Sequence, residues 1–274
     1  MTDFTSESSV INGLARCTIN GFSQDIAKAT ITTVSGFDYS GWTCGGNPAA
    51  GVAPTTWAHP TQATLGALNP RYINPAAGTT CRILAVSFRP SVANQPYIVR
   101  DRIGHMAGLS GTSVAAQTVT ATLTTPAADG RCEAGGGDVD WWIEIYTALG
   151  STGINMTCAV TYSDNSTGNV VVAIPASVPA FRRYRIPPSS GNLSIKAIST
   201  LTNSATTGTA GNYGITATER KIQFSVATAN TEWNADWALT NMPDIGSNAC
   251  LELSTFAVGT AFGTMTGNFR AGTA

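Results

Sequence analysis

The chain has 274 residues, of which 11% are charged, with 15 Lys and Arg against 16 Asp and Glu. A chain of this length buries roughly 75% of the surface that its unfolded form exposes, so a stable core needs neither a metal nor a dense disulfide framework. There is no basic run that would follow a phosphate backbone, and no stretch approaches the ~20 apolar residues of a membrane span. We therefore expect neither nucleic acid nor a membrane as a partner.

The N-terminal segment is polar. Residues 1–16, MTDFTSESSVINGLAR, carry acidic and hydroxyl side chains where a signal peptide would have basic residues and then an apolar run. We predict an N-terminal arm here, synthesis in the cytoplasm, and a single β-rich domain over residues 17–274. At the start of that domain, CTING at 17 and ATITTV at 29 are weak strand candidates, and SQDIAKA at 23 is predicted to form one or two helical turns.

Residues 36–80 have five prolines and little periodicity. Compact proteins seldom carry so long a structureless loop without a binding role. We predict a loop that packs against the protein surface or another chain. It contains the segment WAHP, in which Trp57 and His59 are candidate interface residues.

Alternation of apolar and polar residues dominates the chain from residue 81 onward. In VDWWIEIYT, 139–147, Trp141 and Ile143 fall on one face of a strand, while Trp142, Glu144 and Tyr146 fall on the other. This pattern predicts a half-buried strand. Further strands are predicted at 81–88, 96–103, 118–125, 156–162, 169–174, 193–201, 213–218, 221–227 and 250–258.

Turns rich in Gly, Ser, Asn and Pro separate these strands, which predicts an all-β fold, an antiparallel β-sandwich or jelly-roll-like domain with long loops. The segment NTEWNADWALTN at 230–241 is the second candidate helix. Asn230 is its predicted N-cap, and Trp233 and Trp237 share a face at i, i+4.

The polar face of 139–147 carries two aromatic residues, Trp142 and Tyr146. An aromatic pair beside Glu144 is compatible with a sugar-binding platform. A cross-strand aromatic cluster or a contact between subunits is the stronger expectation. We therefore name Trp142 and Tyr146 as candidate interface residues.

The segment GHMAGLSGTSVAAQ at 104–117 resembles two motifs of subtilisin-like proteases, those around the histidine and around the nucleophile. In those enzymes the triad residues come from distant parts of an α/β chain. Here His105 and Ser113 are eight residues apart, and Gln117 stands where the family motif has Pro. We predict a turn between two strands, with His105 a turn residue, and no catalytic residue.

A metal or cofactor site is not expected. His59 and His105 are the only histidines, and neither has a Cys or His partner at a ligand spacing. The acidic residues of DGRCEAGGGDVD do not alternate as calcium ligands do. A solvated loop is the favoured interpretation of this segment, whose acidic residues are Asp129, Glu133, Asp138 and Asp140.

The six cysteines include no Cys-x-x-Cys pair, and the even count leaves fifteen possible pairings. Cys158 and Cys17 share strand faces with apolar residues, which predicts buried thiols. Cys44 and Cys132 lie in glycine-rich loops, and Cys250 alternates with a charged residue. These three are the candidates for disulfide bridges within or between subunits.

Three segments together resemble structural proteins encoded in tailed-bacteriophage genomes, especially those that decorate or cement the capsid. They are VRDRIGHMAGLSGTSVAAQTVTATLTTPA, DWWIEIYTALGSTGINMTCAVTYSDNSTG and TGTAGNYGITATER, in that order, within residues 97–220. The resemblance implies a trimeric β-protein on the outer capsid surface, with the major capsid protein and its own copies as partners. It supplies no catalytic residue.

A second virion role stays open, a tail or collar spike that binds a host receptor through the aromatic strand face. A secreted glycan-binding or hydrolytic protein would need a signal peptide and a carboxylate pair. The number of copies per virion separates the first two roles, since a decoration protein is present in hundreds of copies and a spike in few.

Overall fold

The computed structural model describes residues 23–61, 81–188, 193–241, 243–246 and 248–273. Within them the fold is all-β and the strand pairs are antiparallel, as the sequence predicts. The predicted arm at 1–16, Cys17 with its strand candidate, and residues 62–80 of the predicted loop lie outside the described residues. No helix in the described part of the chain is long and apolar enough to span a membrane.

Short strands alternate with turns along the whole described chain, as the spacing of turn residues predicts. The strands are β1 Ser23–Lys28, β2 Asp38–Ser40, β3 Gly46–Asn47, β4 Cys81–Pro90, β5 Tyr97–His105, β6 Gln117–Thr122, β7 Val139–Thr147, β8 Ile154–Tyr162, β9 Thr167–Ile174, β10 Arg182–Ile186, β11 Ile195–Asn203, β12 Asn212–Phe224, β13 Trp233–Ala235, β14 Asp244–Ile245, β15 Leu251–Phe256 and β16 Met265–Thr273. Two short helices are α1, Thr124–Ala128, and α2, Trp237–Thr240.

The strands form three layers. A closed barrel has the strand order β10-β2-β15-β5-β12-β7. On one side lies the β4 sheet, with the order β13-β4-β16-β1-β3 and with β14 also paired to β4. On the other side lies the β8 sheet, with the order β6-β11-β8-β9.

Each flanking sheet covers the barrel through a hydrophobic core. Toward the β8 sheet, Trp141 of β7 is buried and its indole Nε1 donates to the Ile195 carbonyl at 2.8 Å. Toward the β4 sheet, the ring of Phe88 stacks on Phe224 of β12 with centroids 4.5 Å apart. Because both layers remove apolar barrel residues from water, the outward side of the barrel is the hydrophobic side.

Both predicted helices are wrong in large part. Residues 23–28 form β1, which pairs with β16 along its whole length. In 230–241, Trp233–Ala235 forms β13, and only Trp237–Thr240 is helical. The N-cap is Asp236, whose carboxylate accepts from the N–H groups of Ala238 and Leu239, whereas Asn230 has a left-handed φ of 61°. Pairing with a neighbouring strand overrides weak local helix propensity in both segments.

The predicted loop at 36–80 is wrong at Asp38–Ser40, which form barrel strand β2 between β10 and β15. A strand of three residues is too short to show a period of two. Tyr39 in this strand and Trp42, two residues after its end, are fully buried. The first part of the predicted loop therefore belongs to the barrel.

Candidate functional site: the charged network inside the barrel

The barrel is filled by charged and polar side chains, and Arg102 of β5 lies at their centre, with no exposed surface. Its Nη2 donates to Glu144 Oε2 at 2.5 Å and its Nη1 donates to Glu252 Oε2 at 2.6 Å. These bonds join β5 to β7 and β15. Its Nε donates to His105 Nδ1 at 2.6 Å, so the imidazole accepts at that nitrogen.

A second arginine extends the network across the barrel. Arg183 of β10 donates to Asp38 of β2 with Nη2 at 2.5 Å and Nε at 2.9 Å. Arg183 Nη1 also donates to Glu252, which therefore bridges Arg183 and Arg102. Two arginines and three carboxylates thus connect five of the barrel strands.

A third arginine, Arg100 of β5, is also buried inside the barrel. Arg100 donates to Asp140 Oδ2 at 2.7 Å and to Ser254 Oγ at 3.1 Å. Its guanidinium and that of Arg183 lie over the Trp142 ring, 4.9 Å and 4.6 Å from the centroid. The aromatic face offers both cations a favourable electrostatic contact.

The prediction that Trp142 lies on an exposed interface face is wrong. Trp142 is only 5% exposed, and its Nε1 donates to Thr218 Oγ1 at 2.9 Å inside the barrel. Glu144, on the same strand face, is fully buried. The alternation in β7 was interpreted correctly as two faces, but the polar face lines the barrel interior instead of meeting solvent.

Tyr146 lies at the edge of this network and keeps part of its surface exposed. Its hydroxyl accepts from Arg102 Nη2 at 2.8 Å and donates to Glu144 Oε2 at 3.2 Å. Burial and the neighbouring Glu144 carboxylate raise the pKa of Tyr146, so it stays a neutral donor. Its role as an interface residue remains a prediction.

Electrostatics favour the ionised form of Glu144, next to Arg102 at the centre of the network. Burial opposes the charge of Glu144, but the guanidinium groups of Arg102 and Arg183 outweigh it and hold the pKa of this carboxyl below its ordinary value. The reverse balance applies at Asp38, where burial raises the pKa despite Arg183. Burial, with Arg102 and Arg131 nearby, keeps the pKa of His105 well below its ordinary value. His105 is therefore neutral, and the arrangement is suited to holding strands together.

A separate ion pair fixes the loops on the outside of β5. Arg131 donates to both oxygens of Asp101, at 3.1 and 2.6 Å, and to the carbonyls of Pro60 and Arg102, at 3.0 and 2.9 Å. All hydrogen bonds from this guanidinium thus reach groups of distant segments. Asp101 also accepts from the backbone N–H of Cys250 at 2.9 Å.

The acidic residues considered as calcium ligands point to different partners. Asp138 accepts from the Glu133 N–H at 3.1 Å, and Asp129 accepts from Asn248 Nδ2 at 3.0 Å. Asp140 instead enters the barrel and pairs with Arg100. Among the described residues, no group of three or more His, Cys, Asp or Glu side chains is arranged to hold a metal ion.

The two residues of the protease-like segment have separate surroundings. His105 is the last residue of β5 and 1% exposed, so the prediction that it is a turn residue is wrong. Ser113 is partly exposed in the turn before β6, and its carbonyl accepts from Asn203 Nδ2 at 2.9 Å. His105 directs Nδ1 at Arg102, not toward a nucleophile.

Trp57 and His59, the other candidate interface residues, are both partly exposed. Trp57 stacks on Trp141 with centroids 5.5 Å apart, and its Nε1 donates to the Thr122 carbonyl at 3.2 Å. A Cβ at Gly104 would lie 2.3 Å from the Trp57 ring, so glycine is required there. Trp57 thus anchors its own loop to the barrel and to β6, and any contact with another chain remains a prediction.

The structure has no disulfide within the chain at the three candidate cysteines, and a bridge between subunits remains a prediction. Cys44, Cys132 and Cys250 are all thiols, and Cys44 and Cys250 are 2% and 0% exposed. The glycines near Cys44 indicated an open loop. Instead the Gly51 N–H donates to the Trp42 carbonyl, the Trp42 ring lies 4.0 Å from the Arg102 guanidinium, and Cys44 is buried in this segment. Cys158 is fully buried, as predicted. Burial raises the pKa of each of these four thiols to about 12.

Sequence reasoning missed the arginines of the network. The signal was present as charged residues inside strand segments, RDR at 100–102 and RRYR at 182–185, in a chain with few charges. Buried arginine is uncommon unless it is paired, so such runs indicate paired charges. The fold and the network together define an all-β protein with a barrel that encloses an ion-pair network between two covering sheets.

No family model matches the sequence, and no curated protein matches it. Solved structures of viral particles are similar at a low level. T=1 particles derived from infectious bursal virus match at 9% identity over 92% of this chain and 77% of that chain, with a TM-score of 0.19. The VP2 subviral particle of infectious bursal disease virus matches at 9% identity over 92% and 80%, also with a TM-score of 0.19. Similarity at this level assigns no function to the chain.

Proposed function

We propose that this chain is a structural protein of a tailed-bacteriophage virion that decorates the outer capsid surface and stabilises the shell through contacts to neighbouring capsid subunits. The observation that carries the proposal is the closed ion network inside the barrel. Its charges bind strands to one another, as in the Arg102 bonds to Glu144 and Glu252. A chain that uses its charges in this way is suited to a mechanical role, and no catalytic residue is part of the proposal.

The network supports that role by its geometry. Glu252 of β15 joins Arg102 of β5 to Arg183 of β10, which lie on different sides of the barrel. Moving one strand past another would expose a buried, unpaired charge, and breaking a buried pair costs about 3–5 kcal/mol. The barrel therefore resists shear, which is the load that a pressurised shell places on a protein bridging its subunits.

The distribution of charge supports assembly with other proteins. Ten Lys, Arg, Asp and Glu side chains of the described residues are buried, although charged residues make up only 11% of the chain. The surface is correspondingly poor in charge and rich in Thr, Ser, Ala and Asn. Depletion of charge is typical of the central part of protein–protein interfaces.

The phage resemblance supports the more specific part of the proposal. Residues 97–220 contain four barrel strands, β5, β7, β10 and most of β12, and the whole β8 sheet. As a decoration protein the chain would act as a homotrimer and bind the major capsid protein at several points. Weak contacts to several subunits become strong when one trimer makes them together.

A tail or collar spike is the alternative. This role requires an exposed aromatic face on β7 that binds a host receptor. With Trp142 inside the barrel, the described structure offers less support for this role than the sequence did. Decoration of the capsid is therefore the function that we favour.

The proposal is tested by comparing virions of the wild-type phage with virions of a phage from which the gene is deleted. We expect quantitative mass spectrometry to give hundreds of copies per wild-type particle. Particles without the protein should release DNA more readily on heating or osmotic shock, with normal adsorption to host cells. A few copies per particle, with lost adsorption and equally resistant heads, would instead assign the spike role.

A further inference from the structure

The outer edge of β9, residues Thr167–Ile174, is an open strand edge. β9 is the last strand of the β8 sheet and pairs only with β8 among the described strands. Its register with β8 is regular over all eight residues, with no bulge. An edge of this kind presents a row of unpaired backbone N–H and C=O groups.

The residues whose backbone groups point outward follow from the hairpin. The Tyr162 N–H donates to the Ser166 carbonyl at 2.9 Å, so these two residues form a hydrogen-bonded pair. Such pairs alternate along an antiparallel ladder. The even-numbered residues of β9 therefore bond to β8, and Thr167, Asn169, Val171 and Ala173 direct their N–H and C=O groups away from it.

A second contact supports this assignment from the other side of β8. Asn155 pairs in register with Ala173, and its carbonyl accepts from the Ser204 N–H at 2.9 Å. The backbone of Asn155 thus faces away from β9. The pair Asn155 and Ala173 is a non-bonded pair, as the alternation requires.

The edge lacks the features by which proteins block unwanted pairing, which are charged residues, proline, bulges and short length. β9 reads TGNVVVAI, and Val171 is 57% exposed. The opposite edge of the same sheet, β6, differs. It has an irregular register with β11, a left-handed φ of 48° at Thr120, and the Trp57 indole bonded to the Thr122 carbonyl.

We propose that β9 pairs with β9 of a second copy of this chain, antiparallel and about a two-fold axis, to make one continuous sheet of two copies of the β8 sheet. In one register, all four outward residues form hydrogen-bonded pairs with the other copy. This register places Asn169 opposite Val171 of the other copy and Thr167 opposite its Ala173. It places Val170 beside its own symmetry mate on the core side.

A second copy is the occupant that the charge pattern favours. An antiparallel self-pair sets only uncharged side chains opposite one another, so no like charges meet. Four bonded pairs give about eight hydrogen bonds between the chains. On the core side, Val170 and Val172, 8% and 7% exposed, lose their remaining contact with water.

This pairing buries little area compared with the ~800 Å² per partner of a standard interface. We therefore expect a dissociation constant of about 10 µM for the free chain, in the range of weak complexes. The pairing does not depend on the proposed capsid role. Virion measurements and the free-chain experiment below can therefore fail separately.

The experiment measures association of the purified full chain by sedimentation velocity between about 1 and 100 µM, a range that brackets the expected constant. We expect a reversible dimer through β9, or larger assemblies that contain this contact. The variant Asn169→Lys/Val171→Lys sets lysine opposite lysine twice and should weaken association at least tenfold. The variant Asn169→Glu/Val171→Lys sets opposite charges across the same positions and should restore it to within about threefold.

The control variant Thr118→Lys/Thr122→Lys places the same charges on the exposed face of β6, at the other edge of the sheet. It should associate like the wild type. All three variants change exposed side chains, and far-UV circular dichroism and melting check that they fold. A wild-type chain that stays monomeric throughout the range overturns the pairing. The pairing is also overturned if the Asn169→Lys/Val171→Lys variant associates like the wild type, or if the Asn169→Glu/Val171→Lys variant does not regain association. Loss of association in the β6 control variant would overturn it as well.

Discussion

Replacing Glu144 with Gln removes one negative charge from the centre of the barrel and hardly changes the shape of the side chain. In the native protein the Glu144 carboxylate accepts from Arg102, Thr216 and Tyr146. All three bonds end on Oε2, so the Gln oxygen can take that position, and the NH₂ group then replaces Oε1, which accepts from Arg102 Nη1 at 3.4 Å. Arg102 then lies buried with one donor facing another donor.

The expected loss of stability follows from what remains around Arg102. Breaking a buried ion pair costs about 3–5 kcal/mol when one charge is left without compensation. Glu252 still accepts from Arg102 at 2.6 Å, so the lower end of that range applies. We expect Glu144→Gln to lower the free energy of unfolding by about 3 kcal/mol at pH 7, and the melting temperature by roughly 6 to 12 °C.

The loss of stability caused by Glu144→Gln depends on pH and becomes smaller in acid. The pKa of Glu144 is lowered in the folded protein, so its stabilising contribution is complete above the unfolded value of about 4.3 and is lost as pH falls through the folded value. The difference between wild type and variant should therefore shrink below about pH 4. The raised pKa of Asp38 acts in the opposite direction, but it is common to both proteins.

Urea unfolding followed by tryptophan fluorescence at pH 7 and pH 3.5 measures both effects. Glu133→Gln is the matched control, because Glu133 is exposed, and it should change stability by no more than about 0.5 kcal/mol. If Glu144→Gln unfolds at the same urea concentration as the control, the network does not stabilise the barrel. A difference that is equal at both pH values would show that altered hydrogen bonding, not the lost charge, causes the loss of stability.

Three further predictions concern thiols, catalysis and assembly. In the native protein Cys132, which is partly exposed, should react with iodoacetamide well before Cys44 and Cys250, as measured by mass spectrometry; faster labelling of Cys44 would contradict the burial of its loop. A fluorophosphonate probe should not label the protein, and labelling that disappears in Ser113→Ala would restore the protease interpretation. Deleting residues 2–14 should leave the melting temperature nearly unchanged but sharply reduce retention on purified capsids; retention equal to that of the full chain would remove the arm from the proposed contact.

The fold class and most of the longer strands between residues 81 and 258 were predictable because their apolar and polar residues alternate over six or more positions. The strand predicted at 139–147 matches β7 at both ends. Strands β2, β3, β13 and β14, with two or three residues each, were missed for lack of length. The longer strands β10 and β16 were missed as well. The segment at 213–218 and the first part of 221–227 form one strand, β12, which ends at Phe224 and whose irregular register with β5 disturbs the alternation.

The ion network was not predictable in the same way, because its members are distant in sequence and only the topology brings them together. Arg183 and Asp38 are separated by 145 positions, and Arg102 and Glu252 by 150. Single-sequence reasoning could identify charged residues in strands. It could not decide whether they face solvent or a closed interior.

Whether the polar face of a strand meets solvent or a closed interior depends on how many layers the fold has. In a two-layer sandwich the polar face of a strand meets water, and the alternation of β7 by itself predicts such a half-buried strand. Here the barrel lies between two sheets, so Trp141 and its neighbours on the outward face of β7 are already buried in the core shared with the β8 sheet. The inward face is buried as well, and polar side chains are tolerated there only when each finds a partner. The pairing of Glu144 with Arg102 is therefore a condition of this architecture, since a barrel covered on its apolar outer side must place its polar residues inside.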